Sequence, residues 1–160
     1  MEIQIPADHA ILSGDLVVPE QAKALVLFAH GSGSSRHSKR NQFVGHELRR
    51  AGLATLLFDL LTDEEEAVDV HTAQHRFDID LLADRLMHAT RWVARQESTA
   101  NLGLGYFGAS TGAAAALVAA AIVGTVGAVV SRGGRPDLAG PALAKVRAPT
   151  LLIVGGEDMS

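Results

Sequence analysis

The chain contains no cysteine, which excludes disulfides, thiolate metal sites and a cysteine nucleophile. Nor does it carry an excess of positive charge. Its 14 Lys and Arg stand against 18 Asp and Glu, a net charge of −4, with a pI near 5.9. Neither nucleic acid nor an anionic membrane surface is therefore an expected partner. The opening residues, Met1-Glu2-Ile3-Gln4-Ile5-Pro6, lack a basic stretch followed by an apolar one. No secretory signal is read there, and a cytoplasmic location is expected. Residues 113–130 are apolar enough to raise the question of a membrane span. Gly124 and Gly127 interrupt them, and alanine stands where leucine would be needed, so a buried helix followed by a buried strand fits better. No repeat or linker divides the chain, and residues 1–160 are read as one domain with one core.

What is present is an alternation of short apolar runs and amphipathic stretches. Residues 2–5 and 11–18 alternate as two opening strands. Residues 23–29 and 53–58 are continuous apolar runs of strand length, the kind buried on both faces. Between them, 41–51 places Phe43, Val44, Leu48 and Ala51 on one helical stripe, stopped by Gly52. Residues 60–70 are polar, and Asp63-Glu64-Glu65-Glu66 reads as a solvated loop. A helix follows with Phe77, Leu81, Leu82, Leu86, Ala89 and Val93 on its apolar stripe. Strands at 102–107, 126–131 and 150–154 alternate with helices at 110–123 and 138–146. This order predicts an α/β fold with a mostly parallel sheet, helices on both faces and an antiparallel N-terminal edge.

Functional groups of such sheets collect where strands end. One strand runs directly into Gly108-Ala109-Ser110-Thr111-Gly112 and then into a helix. That is the setting in which a G-x-S-x-G pentapeptide forms a nucleophile elbow, a turn so tight that the serine's neighbours have almost no side chain. Thr111 falls at the helix start, where its N–H has no intrahelical acceptor and is free to face an anion. Acyl transfer needs a second N–H donor, and the loop His30-Gly31-Ser32-Gly33 sits where one belongs, with Ser32 and its neighbour Gly31 the candidates. A phosphate-cradling reading of the same loop lacks the lysine and spacing of a P-loop.

The order of these pieces, with Asp59 ending a strand and Gly155-Gly156-Glu157-Asp158 ending another, resembles the α/β-hydrolase superfamily. Within it the chain is most similar to the dienelactone-hydrolase-like group. The most specific matches are residues 30–38, Gly108–Gly112 and Ser131-Arg132-Gly133-Gly134-Arg135-Pro136-Asp137. The resemblance implies Ser110 as nucleophile, Asp158 as triad acid, and no metal or organic cofactor. It also implies a triad histidine beyond one more helix and strand, whereas the sequence ends at Ser160. The expectation is thus a C-terminally truncated α/β-hydrolase sheet, with strand 150–154 open to a second copy.

Several residues remain as candidates around that site. His30 and His37 are read as substrate contacts, His30 also orienting its loop through a backbone hydrogen bond, with the base role open to either. Arg132 either holds a substrate carboxylate or pairs with Asp137 or Asp158. Asp59 reads as a strand-end cap, with an alternative triad acid as the other reading. His71 and His75 are spaced i, i+4 without a third ligand, and no metal is expected. Gly103-x-Gly105-x-x-Gly108 matches a dinucleotide fingerprint, but its first two glycines fall inside a strand. The expected activity is serine hydrolysis of a small-molecule carboxylic ester or lactone. The alternatives are a non-catalytic hydrolase paralogue or subunit completed by a partner, and a nucleotide-binding α/β domain.

Overall fold

The computed structural model describes residues 1–156. Its elements are β1 (Glu2–Ala7), β2 (Ala10–Val17), β3 (Ala24–Ala29), α1 (Lys39–Arg50), β4 (Ala54–Phe58), α2 (Asp63–Thr72), α3 (Ile79–Ala94), β5 (Gly103–Ala109), α4 (Thr111–Val123), β6 (Val126–Arg132), a kinked 3₁₀ segment (Pro136–Lys145) and β7 (Thr150–Ile153). The strands form one sheet in the order β1-β2-β4-β3-β5-β6-β7. β1, β2 and β4 pair antiparallel, and β3, β4, β5, β6 and β7 pair parallel. This is the mostly parallel, three-layer α/β sheet that the alternation of runs predicts. Among the described residues, no helix is long and apolar enough to cross a membrane.

The two faces of the sheet are covered differently. One face packs Leu25, Leu27, Leu56 and Tyr106 under α3 and α4, whose contributions include Leu82, Leu86, Val93 and the run Ala114–Ala116. Alanine there lets α4 lie close to the sheet, which explains a helix buried nearly all round. On the other face Phe28, Leu57 and Phe107 meet Val44 and Leu48 of α1.

Three local expectations are corrected. α1 begins two residues early, because Ser38 Oγ accepts the Asn41 N–H and fixes the start. Its inward face is then Asn41 and Gly45 with Val44 and Leu48, and Phe43 is 66% exposed. The acidic stretch is not a loop but the first turn of α2. Thr62 Oγ1 accepts the Glu65 N–H at 3.1 Å and Glu65 Oε1 accepts the Thr62 N–H at 2.9 Å. That reciprocal cap, with four acids against the helix dipole, stabilises a helix of little amphipathicity. Finally, Phe77 lies outside α3, which Asp78 caps, and is 59% exposed.

Glu65 also takes the guanidinium fork of Arg85, at 2.7 and 2.8 Å. This pairing leads the effects that pull the Glu65 carboxyl down from 4.5 to about 2. A depressed acid stabilises the fold above its ordinary pKa and loses that contribution as pH falls through the folded value. Between pH 5 and 2 the wild-type Tm should therefore fall further than that of Glu65→Gln, by roughly 2–4 °C per kcal/mol lost. Calorimetry across that range checks it; parallel Tm profiles would contradict it.

Candidate active site

Ser110 stands between the end of β5 and the start of α4 with φ 54° and ψ −126°. A non-glycine residue held there costs about 1–3 kcal/mol and persists only when its surroundings impose it. The surroundings do so. A methyl group on Gly108 would stand 2.5 Å from Ala113 Cα, and one on Gly112 would overlap the carbonyl oxygens of Ala29 and His30. Strand β5, the end of β3 and the first turn of α4 therefore meet at two positions that admit only glycine. From the other side the exit of β6 clasps the same corner. Ser110 N–H donates to Arg132 O at 3.4 Å, and Arg135 N–H donates to Ser110 O at 3.3 Å. The Ser110 side chain caps none of the α4 amides.

The loop after β3 passes directly over this corner. A methyl on Gly31 would lie 2.9 Å from Ser110 Cβ and 3.2 Å from Ala109 O, so the backbone of the loop touches the serine. Ser32 Oγ and Thr111 Oγ1 are 2.9 Å apart, joining the loop to the start of α4. Thr111 is 2% exposed, and as the first residue of α4 its N–H has no intrahelical acceptor. Ser110, Gly31, Ser32 and Thr111 are thus gathered at one place.

His30 is 7% exposed and both ring nitrogens are engaged. The Leu60 N–H donates to Nε2 at 3.0 Å. A neutral ring whose Nε2 accepts carries its proton on Nδ1, which donates to Gly31 O at 2.9 Å. Burial is the main cause that lowers its pKa, so the ring stays neutral and braces the loop. With no free lone pair it does not act as a base at Ser110. His37 is exposed and lines a shallow cleft with Gly33, Ser34, Ser35, Ser38 and Glu66.

Arg132 extends from the end of β6 to α1. Its Nη2 donates to Asn41 Oδ1 at 2.8 Å and its guanidinium lies 5.3 Å from the Phe107 ring centroid. Burial, then the neighbouring Arg40, lowers its pKa. Asp137, one of the alternative partners, is taken instead by Arg135, in a fork at 3.0 and 2.9 Å. Asp59 holds the far end of the loop: Oδ1 accepts the Arg36 N–H at 2.7 Å and Oδ2 pairs with Arg36 Nη1. Asp158 lies outside the described residues. His71 lies in the last turn of α2, whereas His75 lies beyond its left-handed C-cap, Ala73, so the two do not share a helix face.

Sequence reasoning missed Asn41 and gave Gly134 no role of its own. Asn41, the anchor of Arg132, lies 91 residues away in sequence. Gly134 is also required, since a methyl there would meet Ala113 Cβ at 2.6 Å and overlap Ser131 Oγ. The Gly-Gly pair after Arg132 was the available signal for the second.

The sheet order, the glycine-flanked serine at a strand–helix corner and the loop crossing it define an α/β-hydrolase fold. An α/β serine hydrolase homologue from Coxiella burnetii superposes with a TM-score of 0.73 at 17% identity, over 95% of this chain and 72% of that one. A dienelactone hydrolase from Anabaena variabilis is far nearer: 59% identical, TM-score 0.95, covering 98% of this chain and 73% of that one. The chain belongs to the dienelactone hydrolase family. Two Mycobacterium tuberculosis proteins, from strains CDC 1551 / Oshkosh and ATCC 25618 / H37Rv, are 60% identical over 158 residues, and both are named "Putative phosphoribosyl transferase". The chain spans only 35% of the length of these two relatives. No family model matches the chain.

Proposed function

We propose that this chain carries the nucleophile half of a serine hydrolase acting on a small-molecule carboxylic ester or lactone. Ser110 Oγ attacks the carbonyl carbon, and the N–H groups of Thr111 and Ser32, with Gly31 beside them, hold the resulting oxyanion. Asp158 orients the triad histidine that the family resemblance implies beyond one more helix and strand. The carrying observation is the strained Ser110 backbone, with the Gly31 loop pressed against its side chain. Hydrolysis of p-nitrophenyl acetate by the protein extended through that histidine, with Ser110→Ala as control, tests the reading. Equal rates would remove it.

Arg132 is the residue we assign to an acidic group on the substrate. Two of its flanks are occupied, by Asn41 and Phe107, and among the described residues it forms no salt bridge to a carboxylate. His30 is withdrawn from substrate binding by its two backbone partners, and His37 is kept as a rim contact. Removing a charge-assisted hydrogen bond costs about 1.5–3 kcal/mol. Arg132→Ala should therefore lower kcat/KM for a hemisuccinate ester about tenfold or more relative to the butyrate of the same alcohol. An unchanged ratio would take Arg132 out of recognition.

The transferase name of the mycobacterial relatives we assign to the remaining two thirds of their length. The loop His30-Gly31-Ser32-Gly33-Ser34-Ser35 has no lysine with which to grip a phosphate. A second reading, association through the sheet edge, draws on β7, whose Leu151, Leu152 and Ile153 are 57%, 53% and 45% exposed.

A further inference from the structure

The proposed chemistry leaves one buried charge unused. Asp69, near the end of α2, has a fully buried side chain, and its carboxylate gathers three donors from the turn that follows. Oδ1 accepts the N–H of His75 at 2.7 Å and of Arg76 at 3.2 Å, and Oδ2 accepts Arg76 Nε at 3.0 Å. Arg76 Nη2 closes the clip on Asp69 O at 2.9 Å. Burial opposes the charge, but the two backbone donors and the guanidinium outweigh it and keep the pKa below its ordinary value. A buried ion held this completely fixes the chain reversal between α2 and α3 in one conformation.

That reversal is aimed at the oxyanion loop. Ser32 Oγ lies 3.5 Å from Arg76 O and 2.9 Å from Thr111 Oγ1. A carbonyl only accepts, so the Ser32 hydroxyl donates to Arg76 O and must accept the proton of Thr111. The order is Thr111 O–H to Ser32 O–H to Arg76 C=O, one direction for the whole chain of bonds. Asp69, Arg76, Ser32 and Thr111, with His30 and Gly31, line one small pocket. We propose that Asp69 is a positioning residue: through Arg76 it fixes Ser32, and so holds the loop amides at residues 31–32 in register with the Thr111 amide over Ser110.

This rests on the reading of Ser110 as an amide-lined nucleophile, and the test separates the two. The natural chain has no cysteine, so Ser110→Cys introduces a single thiol whose pKa is read from the pH dependence of iodoacetamide alkylation. Backbone amides facing that sulfur stabilise the thiolate and lower its pKa from about 8.5. Adding Asp69→Asn should raise that pKa and slow alkylation at pH 7 about twofold or more. Amide hydrogen exchange at residues 31–33 should accelerate, while β3 and β5 stay protected. Should Asp69→Asn not fold, Arg76→Ala removes the guanidinium bonds but leaves both backbone donors on Asp69, and the same shift is expected. A thiol of ordinary pKa with Asp69 intact would refute the reading of the site. A depressed pKa that neither variant moves would refute the role of Asp69 alone.

Discussion

Replacing Ser110 with alanine should lower ester turnover by about 10⁴–10⁶-fold in a protein that contains the proposed triad histidine, the range seen when a serine triad loses one of its members. Substrate affinity should change little, because the removed oxygen forms its bond after binding. Nucleophile and base act as a unit. In residues 1–160 alone, where His30 is locked between Leu60 and Gly31, the same substitution should therefore alter the rate far less. A large effect in the short chain would mean that a histidine within it, His37 first, reaches the hydroxyl. A small effect in the long chain would mean that Ser110 is not the nucleophile.

The second large effect is on folding. Gly112→Ala places a carbon against the carbonyl oxygens of Ala29 and His30, both backbone atoms of β3 and the loop after it. Neither yields without moving the strand or the helix. Overpacking a core costs about 1–3 kcal/mol, and more where backbone must shift. For a domain of this size, roughly 3 kcal/mol lowers Tm by about 6–12 °C. Scanning calorimetry of the variant measures it. A Tm within a degree or two of wild type would show that the corner is looser than its contacts imply. The control is Gly124→Ala, whose added methyl meets nothing within 4 Å but sits at φ 72°, so that only backbone strain is changed.

Much of the architecture was readable because each piece is set by local chemistry. Buried strands show as unbroken apolar runs, and the β5–α4 corner as glycines two residues either side of a serine. The misreadings have equally local causes. Asp63–Glu66 looked like a solvated loop because charge outweighed everything else, although Thr62 and Glu65 already spelled the reciprocal cap that makes it a helix. The spacing of Phe43 fits the apolar stripe and so mimics a core residue. Ser38 sets the helix phase so that Asn41 and Gly45 face inward instead.

The rest was not readable because it depends on distance in sequence. Arg132 meets Asn41 across 91 residues and Ser32 meets Thr111 across 79. No periodicity encodes such partners. Asp137, the nearest acid to Arg132 by eye, was claimed by Arg135 two residues before it, through a fork that needs almost no chain reorganisation. The two bonds that occupy the His30 ring likewise come from a carbonyl next door and an amide thirty residues on.

The central claim is that the side chain of residue 110 faces backbone N–H groups from the β3 loop and the first turn of α4. The pKa of the thiol in Ser110→Cys measures this without a base, a substrate or a second domain. A value of about 7 or lower is predicted, since helix N-termini and amide donors stabilise a thiolate. A value at or above about 8.5, the range of a free or apolar-buried thiol, would contradict the account.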